Sequence, residues 1–205
     1  MKKFVCGILA FVLMTSGVLG CAKKDEIPAR GVWDGRTYTN TEAGIRLTVP
    51  EGYNIGTDER IIEAYRVSDD YFDDIKSKKD FYDVLLEDRT SGSYSRMYIK
   101  YYFDQIKNTT AEQNLNLYKS QQKTFKYYND DRPELNRIYG DNFELTLCGQ
   151  TYACCGFTLE GIDEFYQLVC YRITTGNAVV LIDIRGKSEE RVNAYLTFFD
   201  TASVK

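Results

Sequence analysis

The chain has 205 residues, with 26 lysines and arginines against 30 aspartates and glutamates, a formal net charge of −4 and no histidine. A mildly acidic chain without a basic block is a poor partner for nucleic acid or anionic lipid. The missing imidazole removes the commonest general base, the commonest neutral metal ligand and every histidine-containing triad.

In chain order, Met1-Lys2-Lys3 is a short basic start, and residues 4–18 are an apolar run broken only by small or hydroxyl residues. Gly20 stands directly before Cys21, and Lys23-Lys24-Asp25-Glu26 closes the run with four charges. This is the layout of a secretory signal peptide, and it is shorter than the ~20 apolar residues of a membrane span. Val18-Leu19-Gly20-Cys21 resembles the lipobox of bacterial lipoproteins. That resemblance implies a signal peptide over residues 1–20 and acylation of Cys21, palmitate included, as the first mature residue. It also implies a cell-membrane anchor facing outside the cytoplasm. A plain cleaved signal is the alternative. Several acyl chains on one cysteine give the stable anchoring that one chain does not. Residues 21–30 read as a charged tether and 31–205 as a single globular domain, long enough for a sizeable core.

Gly31-Val32-Trp33-Asp34-Gly35 is a turn-rich entry holding the only tryptophan. Residues 38–40 and 45–49 read as strands, the second with Ile45, Leu47 and Val49 on one side. Thr57-Asp58-Glu59 opens a helix with a capping residue and two acids. Asp69-Asp70-Tyr71-Phe72-Asp73-Asp74 lacks the alternating carboxylates and central glycine of a calcium loop, so it reads as a solvated connection, and no metal site is expected. Residues 81–88 and 94–104 predict a hairpin. Met97, Ile99, Tyr101 and Phe103 face one way, and Arg96, Tyr98, Lys100 and Tyr102 the other. With Trp33, the mixed face of Tyr98, Lys100 and Tyr102 is a candidate surface for a sugar or peptide. A sheet face lying under a helix is the plainer reading.

Thr109-Thr110-Ala111-Glu112 is a capping box, and the helix after it is expected to run to about Tyr127, burying Ala111, Leu115, Tyr118 and Phe125. The last third is a meander of strands over 143–148, 151–159, 164–173 and 178–184. Its short glycine-bearing connectors demand antiparallel neighbours. Ala178-Val179-Val180-Leu181-Ile182 does not alternate, which means burial on both faces. Ser188-Glu189-Glu190 caps a final helix. The fold class expected is α+β, an antiparallel sheet of about seven or eight strands with helices on both faces, a three-layer sandwich.

Besides Cys6 and Cys21 the chain carries Cys148, Cys154, Cys155 and Cys170. Adjacent Cys154 and Cys155 point to opposite faces of a strand. A two-residue turn at Gly161-Ile162 sets Cys155 opposite Leu168 and diagonal to Cys170. That diagonal, ~7–8 Å, is long against the ~4.4–6.8 Å between Cα atoms of a disulfide. Small buried hydrophobes left reduced are one reading, and a Cys155–Cys170 bridge or a thiol redox role are the others.

Trp33-Asp34-Gly35, Tyr38-Thr39-Asn40, Gly44-Ile45 and Pro50-Glu51-Gly52-Tyr53 resemble the opening of small cell-surface lipoproteins of Firmicutes, with Tyr53 where tryptophan is usual. The order of elements resembles the PsbP-like fold. Those resemblances imply a binding or assembly module with no shared catalytic residue set. No G-x-S-x-G, H-E-x-x-H, glycine-rich phosphate loop or S-x-x-K occurs, and Glu160 and Asp163 merely flank a turn. The expected function is therefore a noncatalytic, membrane-anchored extracytoplasmic module for an envelope protein or component, with no cofactor. The alternatives are a small-ligand or carbohydrate-binding lipoprotein using Trp33, Tyr98 and Tyr102, and a thiol redox protein.

Overall fold

The structure is a computed structural model and describes residues 27–73, 78–88, 94–103, 109–125 and 134–204. Residues 1–20, expected from sequence to be a signal peptide, and Cys21 lie outside the described residues.

The chain begins with β1 (Val32–Asp34), β2 (Thr37–Asn40) and β3 (Ile45–Thr48), an antiparallel three-stranded sheet in that order. Alternation decides its orientation: Ile45 and Leu47 are fully buried, whereas Arg46 and Thr48 are exposed. Next come β4 (Asn54–Ile55) and α1 (Asp58–Tyr65), whose N-cap Thr57 accepts from the Arg60 amide. They are followed by β5 (Asp80–Asp88) and β6 (Ser95–Phe103). The second helix, α2 (Ala111–Gln121), carries its capping box between Thr110 and Gln113, one residue later than the Thr109–Glu112 box expected from sequence. Then follow β7 (Thr124–Phe125), β8 (Leu135–Leu147), β9 (Gln150–Leu159), β10 (Ile162–Ile173) and β11 (Ala178–Gly186). The short α3 (Glu189–Ala194) continues as a 3₁₀ turn over Tyr195–Phe198. The eight later strands form one antiparallel sheet, ordered β4-β5-β6-β11-β10-β9-β8-β7.

Two cores lie on the two faces of this sheet. On one face Tyr38, Ile45 and Leu47 of the small sheet and Val192 and Tyr195 of the C-terminal segment pack on Leu86, Ile99, Cys170 and Ile182. On the other, Leu115 of α2 packs on Cys155, Phe157, Val169, Tyr171 and Leu181. α1 serves both, Ile62 against the first core and Tyr65 against the second. β11 sends successive residues to opposite cores, which is why its apolar run does not alternate. The molecule is an α+β sandwich built on one large antiparallel sheet.

Four expectations are corrected. The helix ends at Gln121, and Phe125 reaches the second core from β7, paired with Leu135. β8 starts eight residues before the predicted strand, continuing through a bulge that Gly140 and Asp141 form opposite Gly156. The tether assigned to 21–30 has already joined the domain by residue 27. Ile27 is 2% exposed in the first core, the Ala29 amide donates to Glu42 at 2.7 Å, and Arg30 pairs with Asp58 and Asp83. The fourth concerns the Cys155–Cys170 bridge. The turn falls at Glu160-Gly161, with Gly161 at φ 74°, and residues 163–166 bulge opposite Thr158. Cys155 therefore pairs with Val169, and Cys154 with Cys170. Cys155 and Cys170 sit in different cores on opposite faces, so no bridge joins them.

Candidate functional site

Register places one row of side chains on the α2 face of the sheet: Glu87 of β5 opposite Arg96 of β6, Arg96 opposite Arg185 of β11, and Arg185 opposite Gln167 of β10. Two arginines directly opposed across antiparallel strands repel, so the row needs negative charge nearby. Asp183, two residues before Arg185 and on the same face, supplies part of it. It is 1% exposed and accepts from Arg185 Nε at 3.0 Å and Nη2 at 3.1 Å, from Gln167 Nε2 at 2.7 Å and from Tyr98 Oη at 2.7 Å. Burial opposes the charge on Arg185, but Asp183 more than offsets it, and the guanidinium is held above its ordinary value.

A third arginine enters from β8. Arg137 donates from Nη1 to Tyr118 Oη at 2.6 Å, and its guanidinium carbon lies 4.7 Å from the Phe157 ring centroid and 5.5 Å from that of Phe125. Its Nε is buried with no hydrogen-bond partner. It forms no ion pair with a carboxylate among the described residues. Arg96 lies 5.9 Å from the Tyr65 ring, which stacks at 3.7 Å on Tyr82. Burial pushes the Tyr65 hydroxyl up, so it stays a neutral phenol.

Tyr65, Arg96, Phe125, Arg137 and Arg185 line a groove of about 1140 Å³ between the end of α1, the sheet and β7. Five cations line it (Arg66, Arg96, Arg137, Arg185, Lys187) against three acids (Glu63, Glu134, Glu164), an excess of two in a chain that is net negative. Two of the acids are already engaged, Glu63 by Arg60 at 2.7 Å and Glu164 by Lys187 at 3.0 Å. Guanidinium groups beside aromatic faces suit a carboxylate or phosphate presented with some apolar surface. A concave, aromatic-lined site with a few convergent polar groups is the ordinary form of a binding site.

The residues singled out from sequence do not form one surface. Trp33 lies in the small sheet, 5.2 Å from Tyr38, and packs on the first core. Tyr98 is 7% exposed, roofed by Tyr65 and tied to Asp183, so it cannot stack a sugar: the plainer reading, a sheet face beneath a helix, holds there. Lys100 pairs with Asp80 at 2.6 Å and lies over Tyr82. Together with Tyr102 it lines a second groove of about 890 Å³, beside α2. Arg137 and Arg185 were not singled out. The signal for Arg185 was a charge following an apolar run, and for Arg137 a cation alternating with Leu135 and Tyr139. Cys21 lies outside the described residues. Among the described residues no group of three or more His, Cys, Asp or Glu side chains is placed to hold a metal ion.

No family model matches the chain, and no curated protein matches its sequence. Among solved structures it is similar to the solution structure of cyanobacterial PsbP (CyanoP) from Synechocystis sp. PCC 6803. The identity is 14% and the TM-score 0.44, over 90% of this chain and 98% of that one. A likeness at that distance assigns no site and no activity.

Proposed function

We propose that the chain is a noncatalytic binding module, anchored to the outer face of the cell membrane through acylated Cys21, whose arginine-lined groove receives an anionic component of the cell envelope. The observation that carries the reading is the convergence of Arg96, Arg137 and Arg185 on one concavity, with Arg137 lacking a carboxylate partner among the described residues. The anchor rests on Val18-Leu19-Gly20-Cys21 and the apolar run before it. The ligand class follows from charge and shape: a carboxylate- or phosphate-bearing chain with apolar parts to lie along Tyr65, Phe125 and Phe165.

Two measurements test it. Fractionation of cells producing Cys21→Ser should move the protein from membrane to soluble fraction with the fold intact. Retention in the membrane contradicts the anchor. Titration of the purified chain with inorganic polyphosphate and with poly-glutamate distinguishes phosphate from carboxylate. Binding to either should weaken about 10- to 150-fold in Arg137→Ala, the loss of one charge-assisted contact of about 1.5–3 kcal/mol. Equal binding by variant and wild type removes the groove as the site.

A second reading, a small-ligand or carbohydrate receptor, is favoured by the groove beside α2, where Tyr102, Tyr118 and Tyr171 stand with Lys100. A neutral oligosaccharide bound in the same affinity range with and without salt, and lost in Tyr102→Ala, would select it.

A further inference from the structure

The register shift that separates Cys155 from Cys170 brings another pair together. Cys154 of β9 and Cys170 of β10 are direct cross-strand partners. Both belong to the first core, and both are fully buried. Their thiols are free, and Cys154 Sγ donates to the Tyr152 carbonyl at 3.5 Å. Directly opposed residues in antiparallel strands have Cα atoms ~4.5–5.5 Å apart, inside the ~4.4–6.8 Å spacing of disulfides. The other two cysteines are occupied elsewhere. Cys148 donates to the Arg46 carbonyl at 3.1 Å, and Cys155, on the α2 face, is within 3.3 Å of the Gly140 carbonyl. Among these four cysteines this is the one pair that the sheet itself places in register.

We propose that Cys154 and Cys170 are a disulfide site that closes when the chain folds in the presence of a disulfide oxidant, clamping β9 to β10 inside the first core. The reaction balances as two exchanges. The thiolate of one cysteine attacks the S–S bond of a small-molecule disulfide, giving a mixed disulfide and one released thiol. The second thiolate attacks the cysteine sulfur of that mixed disulfide, forms the Cys154–Cys170 bond and releases the second thiol. Two electrons and two protons pass from the cysteine pair to the oxidant. Because neither sulfur is exposed in the folded chain, exchange takes place while the β9–β10 hairpin is open, and the folded molecule, oxidised or reduced, resists reagents in solution. The bond closes a loop of about 15 residues across the hairpin, and restricting the unfolded chain to that extent raises the thermal midpoint by roughly 6–12 °C.

The test is to denature the full chain in guanidinium and refold it with oxidised glutathione or, in parallel, with dithiothreitol. Thiols are then alkylated in denaturant, and peptides are mapped in the fraction whose near-ultraviolet circular dichroism matches in both preparations. The expected result is a linked peptide joining Cys154 to Cys170 in the oxidised fraction alone, with the higher thermal midpoint. Cys155→Ser should keep the link, resolving the neighbouring residue, and Cys170→Ser should abolish it. Alkylated Cys154 and Cys170 in the oxidised, native fraction overturn the proposal, as does a link from Cys148 or Cys155. If Cys170→Ser does not fold, the wild-type map alone decides.

Discussion

Asp83 stands as the extra residue in a bulge of β5, between Tyr82 paired with Lys100 and Val84 paired with Ile99. Its carboxylate accepts from Tyr38 Oη and, at 2.9 Å, from the Gly31 amide, with Arg30 Nε at 3.5 Å. The Tyr38 hydroxyl in turn lies 3.1 Å from that of Tyr101. Burial dominates these contacts and raises the Asp83 pKa above its ordinary 3.8. The folded state therefore holds this proton more tightly than the unfolded chain. The stability it contributes is complete below the ordinary value and is lost as pH rises through the raised one. The unfolding free energy of wild type minus that of Asp83→Asn should accordingly fall as pH rises above 3.8, read by urea denaturation at each pH. At neutral pH, Asp83→Ala should cost about 2–3 kcal/mol, since the Gly31 amide loses its acceptor and the Tyr38 hydroxyl keeps only that of Tyr101. From sequence, Asp83 was one polar residue in a strand. Its partners arrive from 45 and 52 residues away, and no local pattern encodes such a meeting.

At the scale of elements, α2 is the helix most clearly announced by its sequence and the one on which the second core depends. Thr110 accepts from the Gln113 amide at 3.1 Å, and the Gln113 side chain accepts from the Thr110 amide at 2.8 Å. Thr110→Ala should cost about 1 kcal/mol, and Leu115→Ala, at a fully buried position, about 2–5 kcal/mol. Guanidinium unfolding of both variants checks the order. Elements whose stripe or alternation faces one core were legible in this way: α2, β3, β6 and the two-sided β11. β7 and the first half of β8 were not. A two-residue strand has no period to read, and Gly140-Asp141 signals a turn as readily as the bulge it forms. The β9–β10 turn was misplaced by one residue and the bulge over residues 163–166 was not foreseen; together they move the register by one, which exchanges the partner of every cysteine on β9 because side chains change face at each step.

Over the whole molecule, charge is distributed unevenly. The chain is net negative, yet the groove between α1, the sheet and β7 is lined by an excess of two positive charges. A ligand held by those arginines should lose affinity as salt rises, since partly exposed charges are screened with a Debye length falling from about 10 Å at 0.1 M to about 3 Å at 1 M. Polyphosphate titrations at both salt concentrations measure this, and Arg137→Ala should flatten the dependence. The basic and aromatic face of β6 was visible in its alternation. The groove was not, because Arg96, Arg137 and Arg185 come from three strands and only the sheet order unites them.

The docking of Ile27 sets a short leash. Five residues, 22–26, separate Cys21 from the point where the chain enters the first core. Fully extended, the six peptide steps from Cys21 to Ile27 span at most ~20–22 Å. Were Cys21 acylated as proposed above, the sandwich would ride against the headgroups, and a ligand of the proposed groove would be met at the membrane surface.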